Sequence, residues 1–276
     1  MKLRYGVVFS FAILFCGLVF AAPNKEMQDG ADHLAASIYT GPAMRTLREL
    51  SDGFGGRLTG SPAYNHAAEW AAAKFKSYGI QNVRLEPFAM DCGWTRGTAS
   101  GQLLAPVSRP LHLESLGWSP STPAGGVKGE VILVEDVSAD AVKALAPKVK
   151  GKIVILEMGK IFANGWVKVL EPLEASYKVF KDNGAVGLIF PGGDRNNVLS
   201  ASDPNWGSSL LLMPGAQIGM EDFQLIRRSL EHGPVTMQFE LQNTTSGPMQ
   251  VNNVVAEIRG SELPDEWIII GAHLDS

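Results

Sequence analysis

The chain has 276 residues, 45% of them hydrophobic and 19% charged, with a formal net charge of −4. This is the composition of a globular protein with room for one large or two ordinary domains, and it excludes a disordered or collagen-like chain. No basic stretch clusters as a nucleic-acid patch does, so no nucleic-acid partner is expected.

The N-terminus is of different material. Lys2 and Arg4 make a basic start, Val7 to Phe20 is apolar apart from Ser10 and Gly17, and Val19-Phe20-Ala21 supplies a small-residue cleavage pattern before Ala22. Residues 1–21 thus have the form of a secretory signal peptide, and a secreted or periplasmic protein is expected. The rival is a membrane anchor at residues 5–22, but a bilayer span takes roughly 20 apolar residues, so no stable anchor is expected. Cleavage would leave Cys92 as the remaining cysteine and rule out an internal disulfide. Next to Asp91 it reads as a packed thiol, since a neighbouring carboxylate raises a thiol pKa.

Residues 22–30 are polar and expected to be loose. From Asp32 to Ser51 the apolar spacing is helical, with a break at Gly41-Pro42. Asp52 to Pro62 is rich in glycine, but its spacing is neither GxGxxG nor GxxxxGK, so it is not a phosphate loop. Ser61 is a good N-cap and Pro62 suits a first helical position, predicting a helix with Ala67, Trp70, Ala71, Phe75 and Tyr78 as its apolar stripe, closed at Gly79. Val83 to Phe88 and Thr98 to Ala105 read as strands.

Beyond Pro106 the texture changes to short strands at 129–134, 152–156 and 186–190. Extended pieces follow at 210–213 and 217–218, then a strand at 235–241. Helices are predicted over 171–183 and 220–231. This compact module carries few grouped ionisable residues, which argues against an active site of its own. Asn243-Thr244-Thr245 is a glycosylation sequon that reads as a polar linker where the module ends. Val251 to Ile258 and Glu266 to Ala272 then read as a hairpin that resumes the sheet begun by Val83 to Phe88.

Ile268-Ile269-Ile270 looks like a strand buried on both faces, followed by Gly271-Ala272 and His273-Leu274-Asp275. Ligands gather at the carboxyl ends of strands in open α/β sheets. An imidazole there binds a metal through one nitrogen, while a carboxylate fixes the tautomer through the other. The same tripeptide is also consistent with a buried His-Asp hydrogen bond or a turn. His33, His66, His112 and His232 are isolated, and Glu171 with Glu174 reads as a solvated helix face. There is no HExxH, no paired CxxC and no GxSxG. A central strand tip is an unusual place for a domain to stop, so the sequence reads as the front portion of a longer protein.

Ile269 to Ser276 resembles the first metal-ligand motif of the secreted two-zinc exopeptidases of leucyl aminopeptidase and carboxypeptidase Q type. Gly56 to Pro62, Glu69-Trp70-Ala71 and Val83 to Phe88 are most similar to the carboxypeptidase Q type. Val149 to Val154 and Gly184 to Ile189 resemble strands of the protease-associated domain inserted in many members. The resemblance implies a mixed-sheet α/β zinc exopeptidase domain over residues 22–112, a protease-associated insert over 113–245, and the peptidase domain resuming over 246–276, truncated there. It implies two Zn2+ ions with His273 as a ligand of one, Asp275 as its orienting carboxylate in the catalytic machinery, and peptide substrates. The other ligands and the general base would lie downstream, so the chain alone is expected to be inactive. Oligomeric state stays open, a homodimer included. Two rivals of other classes are a non-catalytic protease-associated interaction module and a hydrolase of different chemistry on a similar frame.

Overall fold

A computed structural model describes residues 25–201 and 209–276, and the expected signal segment at 1–21 lies outside them. Among the described residues no helix is long and apolar enough to cross a membrane. The chain divides into two compact units, residues up to 50 and residues 51–276. The first holds α1 (Lys25–Thr40) and most of α2 (Ala43–Phe54), with the expected break at Gly41-Pro42. Residues 25–30, expected to be loose, are helical, as suits a run of helix-tolerant residues without proline. No residue of α1 is buried.

In the second unit, α3 (Pro62–Ser77) begins as predicted, with the Tyr64 N–H donating to the Ser61 hydroxyl at 3.2 Å and Pro62 in the first turn. Its buried face differs from the predicted stripe. Tyr64, Ala67, Ala68 and Ala72 are buried, whereas Phe75 and Tyr78 are exposed. The alanines let the helix sit close to the strands beneath it, which leaves the large rings at the rim.

β1 (Asn82–Met90) follows. Eight strands then build one sheet: β2 (Trp94–Ala105), β3 (Arg109–Leu111), β4 (Leu113–Ser115), β5 (Val127–Val134), β6 (Ile153–Leu156), β7 (Gly187–Pro191), β8 (Gly215–Ile218) and β9 (Thr236–Thr245). Four helices interrupt them: α4 (Ala139–Leu145), α5 (Met158–Ile161), α6 (Trp166–Asp182) and α7 (Met220–Leu230). Finally β10 (Met249–Glu257) returns and pairs antiparallel with β1, from Asn82 opposite Glu257 to Met90 opposite Met249. The fold is mixed α/β, as expected.

The large sheet runs in the order β3-β2-β9-β5-β6-β7-β8-β4. β5 to β8 are parallel to one another, and the outer pairings are antiparallel. Alternation along β6 shows why it is central. Ile153 and Ile155 enter a core with Phe223 and Ile226 of α7, and Val154 and Leu156 enter another with Leu173, Tyr177 and Phe180 of α6. A strand covered on both faces needs apolar residues at every position. The sheet takes in Trp94–Leu111 as well as the 113–245 stretch.

Four local expectations are corrected. Asn243 is no linker residue: it lies in β9, and its amide donates to the Ser115 hydroxyl at 2.7 Å and the Ser119 carbonyl at 2.9 Å. Residues 210–213, expected to be extended, join no sheet. α6 begins at Trp166 and carries Pro172 inside it, giving up one backbone donor. Glu266 to Ala272 forms no hairpin with β10. Ile268, Ile269 and Ile270 are 93%, 86% and 93% exposed, and among the described residues no strand pairs with them. A β-branched run becomes a buried strand only where partners flank it, as β5 and β7 flank β6.

The module also gathers ionisable groups that are distant in sequence. Buried Asp222 accepts from the His112 backbone N–H at 2.7 Å and from Arg109 at 3.2 Å, and lies 3.0 Å from the His112 ring. Asn197 reaches over the start of α7, its Oδ1 accepting the N–H of Glu221 and Asp222. A side chain at Gly219 would collide with it, since an added Cβ would lie 2.1 Å from that oxygen. Glu221 in return accepts the N–H of Asn196 at 2.8 Å and Asn197 at 2.7 Å.

These backbone bonds hold the Glu221 carboxyl below the usual glutamate range. Its stabilising contribution is therefore complete above the unfolded value of about 4.3 and is lost as pH falls through the lower folded value. Glu221→Gln is expected to lower the urea midpoint at neutral pH, and the gap to the parent chain is expected to narrow in acid.

Candidate functional site

The glycine-rich loop earns its place through Arg57. This residue is 7% exposed, although it is charged. Its Nε donates to the Leu274 carbonyl at 2.9 Å, and its Nη1 donates to the Gly55 carbonyl at 2.9 Å. Its backbone N–H donates to the Ser276 carbonyl at 2.7 Å, and the Ser276 N–H returns to the Arg57 carbonyl at 3.4 Å. The loop can fold back on its own guanidinium because Gly55 adopts φ +62°, where a side chain would be strained. Residues 274–276 are thus strapped to residues 55–57 from the far end of the sequence.

The strap aims the next contacts. Asp275 uses both carboxylate oxygens: Thr59 donates its hydroxyl to Oδ2 at 2.9 Å, and His273 Nδ1 meets Oδ1 at 2.8 Å. The second bond engages Nδ1 and leaves Nε2 as the ring nitrogen for a ligand. The ring itself is 92% exposed. Of the open readings of His-x-Asp, the hydrogen bond is present but not buried. Leu274, between the two, packs against a small core of Tyr64, Met90, Cys92, Trp94, Trp118 and Val251. Burial raises the Tyr64 hydroxyl pKa, and the nearby Asp275 charge adds to it. Burial likewise raises the Cys92 thiol, with Asp91 adding to it, which fits a packed thiol.

His273, Asp275 and Thr59 open onto a cleft of about 960 Å³. Its other wall comes from the large sheet and its loops, with Trp94, Arg96 and Trp118. The cleft therefore lies where the β1–β10 portion meets the eight-stranded module. Arg57, Thr59, Arg96 and Trp118 received no role from sequence reasoning. Nothing in spacing signals a contact between residues 57 and 274, although the Gly56 to Pro62 motif pointed to this loop. His33 is exposed in the first unit, and His66, His112, Glu171 and Glu174 are exposed and do not line the cleft.

The donor chemistry at His273 fits zinc: an exposed imidazole with a carboxylate on its second nitrogen. Among the described residues no three His, Cys, Asp or Glu side chains group so as to hold a metal ion. His273 is thus a single candidate ligand and not a complete site.

The chain matches no protein-family model. It is 29% identical to carboxypeptidase Q of Bos taurus over 238 residues, covering 83% of this chain and 48% of that protein. It is 28% identical to carboxypeptidase Q of Homo sapiens over 241 residues, again 83% of this chain and 48% of the relative. The chain spans about half the length of the curated relatives it matches. The structure of a peptidase M28 precursor from Shewanella amazonensis SB2B is similar with a TM-score of 0.72 and 28% identity, over 90% of this chain and 57% of that one. An aminopeptidase from Aneurinibacillus sp. strain AM-1 shares the fold, at a TM-score of 0.52 and 20% identity over 79% of this chain and 47% of that one.

Arg57 gives the site its first test. Arg57→Ala is expected to release residues 273–276, lowering their backbone order parameters from about 0.85 to below about 0.6 in 15N relaxation, while the β6 and β7 amides stay unchanged. Arg57→Lys, which keeps the charge without the fork, is expected to fall between.

Proposed function

We propose that this chain contributes the first metal ligand and one wall of the substrate cleft to a zinc-dependent exopeptidase of carboxypeptidase Q type. The observation that carries the reading is the strapped His273–Asp275 pair, presenting Nε2 at the mouth of a cleft large enough for a short peptide. Likeness to carboxypeptidase Q and to an M28 peptidase supports it, as do the sheet topology and the order of the motifs.

In this reading His273 binds one of two zinc ions through Nε2, and Asp275 holds the ring in the tautomer that allows it. Zinc, when bound, supplies Lewis acidity and a water that ionises near neutral pH. Thr59 fixes the carboxylate, and Arg57 fixes the backbone on either side of it, so the imidazole meets the metal without reorganising. Tyr64 and Leu274 pack in the small core shared with the cleft residues Trp94 and Trp118. The substrates are short peptides, and the eight-stranded module corresponds to the protease-associated domain. The protein acts outside the cytoplasm, after export directed by residues 1–21.

A lone imidazole does not retain zinc against solvent. The 276-residue chain is therefore expected to bind zinc no tighter than a surface histidine does in calorimetric titration, and to leave dipeptides unhydrolysed. A longer chain that adds carboxylate and His ligands is expected to hydrolyse them with zinc, and His273→Ala in that chain is expected to cut kcat/KM by at least about 100-fold, the scale on which lost metal-site contacts act. Zinc-dependent turnover by the 276 residues alone, or an unaffected His273→Ala enzyme, would overturn the proposal.

A further inference from the structure

The end of the parallel strands holds an ionisable cluster that the cleft does not use. Glu135 follows β5 and Glu157 follows β6, so both stand at the carboxyl ends of neighbouring strands. The Glu157 backbone ties this joint together. Its N–H donates to the Val134 carbonyl at 2.9 Å, and its own carbonyl accepts the N–H of Lys160 at 2.9 Å and of Ile161 at 3.0 Å. Although it is acidic, Glu157 is 8% exposed.

One of its carboxyl oxygens is answered and the other is not. Oε1 lies 3.3 Å from Nη1 of Arg227 on α7. Oε2 is buried and meets no partner among the described residues. Glu135 brings a second carboxyl within hydrogen-bonding reach of the first. Carboxylates only accept, so no bond joins the two until one of them carries a proton. Lys160 of α5 also faces the pair, 3.7 Å from Glu135 Oε1. Glu231 of α7 lines the same groove of about 450 Å³ as Glu135 and Arg227. The Glu135 side chain is 45% exposed, so a proton reaches the pair from solvent. A divalent cation is the other occupant that two carboxylates suggest. Arg227 and Lys160 already set two positive charges beside them, and among the described residues no group of three His, Cys, Asp or Glu forms a metal site. A buried oxygen left unpaired costs free energy, and a proton is the occupant that needs no further ligand.

We propose that Glu157 and Glu135 share one proton and so form a pH-sensitive latch on the eight-stranded module, closed in acid and released when the proton leaves. Two carboxyls at close range do not both ionise freely, because each charge opposes the other. Burial pushes the Glu157 carboxyl above the usual glutamate range and Glu135 adds to it, against the lowering pull of Arg227 and Lys160. The latch's contribution is therefore complete below the unfolded value of about 4.3 and is lost as pH rises through the raised folded value. Its sign is opposite to that of Glu221, so the two are separable in one chain. The latch stands or falls independently of the exopeptidase reading.

The full 276-residue chain, labelled with 13C at the glutamate carboxyls, is titrated by NMR, with the two signals assigned from Glu157→Gln and Glu135→Gln. Glu157 is expected to titrate above the ordinary value of about 4.3, and the Glu135 signal to inflect at the same pH, as coupled sites do. Glu135→Gln is expected to move the Glu157 titration down, and Arg227→Gln to move it up. Amide exchange reads the latch itself. Protection of the Glu157, Lys160 and Ile161 N–H groups, corrected for the intrinsic pH dependence of exchange, is expected to fall by up to about ten-fold per pH unit through the Glu157 titration, the slope of one linked proton. The β7 amides are expected to hold. In Glu157→Gln, whose amide donates to Glu135 and accepts from Arg227 at every pH, the slope is expected to vanish. Thermal unfolding confirms that each variant is folded, and the parent titration with Glu135→Gln carries the test should Glu157→Gln not fold. Titration of Glu157 at or below the ordinary value, a Glu135 signal that does not follow it, or the same pH slope of protection in the parent chain and Glu157→Gln would overturn the latch. Saturable movement of both carboxyl signals on adding Ca2+ would also overturn it, with a cation as the occupant instead.

Discussion

The grip of Arg57 on residues 274–276 is the constraint on which the rest of the site depends. A buried guanidinium is costly unless its donors are satisfied. Here it spends them on the carbonyls of Gly55 and Leu274, while its own backbone pairs with Ser276. The contact spans a sequence separation of 217 residues. It closes the loop that brings the glycine-rich turn, the start of α3 and the His-x-Asp tripeptide to one place. Without it, Asp275 would lose its alignment with Thr59, and the imidazole would be one exposed ring on an unpaired segment.

The second structural fact is that one small core serves both walls of the cleft. Tyr64 from α3, Val251 from β10, Met90 from β1 and the two tryptophans of the module pack together, with Leu274 at the edge. The eight-stranded sheet is stabilised by its own two cores, one under α7 and one under α6. It can therefore present Trp94, Arg96 and Trp118 as a rigid wall. The smaller β1–β10 ribbon, covered by the alanine face of α3, presents the other. A substrate held between rigid elements gains from preorganisation, because little ordering remains to be done on binding.

Much of this was legible in the sequence where local chemistry decides. Ser61-Pro62 marked the start of α3, Gly41-Pro42 the break between α1 and α2, and the runs at 152–156 and 186–190 two of the central strands. The failures share a cause. Ile268-Ile269-Ile270 has the same pattern as Ile153-Val154-Ile155, yet one is exposed and the other buried, because pairing is a property of neighbours and not of the run. Asn243 looked like a linker residue until its amide was seen bound to Ser115 and Ser119. The candidate site was half legible. His273 and Asp275 stood out as a pair, but Arg57, Thr59, Arg96 and Trp118 act through contacts between residues far apart in sequence.

The central claim is that this strapped segment holds His273 with one nitrogen committed to Asp275 and the other free for zinc. The tautomer of the His273 ring tests it most directly, read from its 15N chemical shifts in the metal-free chain at a pH where the ring is neutral. The account requires the proton on Nδ1, donated to Asp275, with Nε2 unprotonated, and Thr59→Val should weaken that preference. A ring protonated on Nε2, or one averaging freely between tautomers, would contradict it.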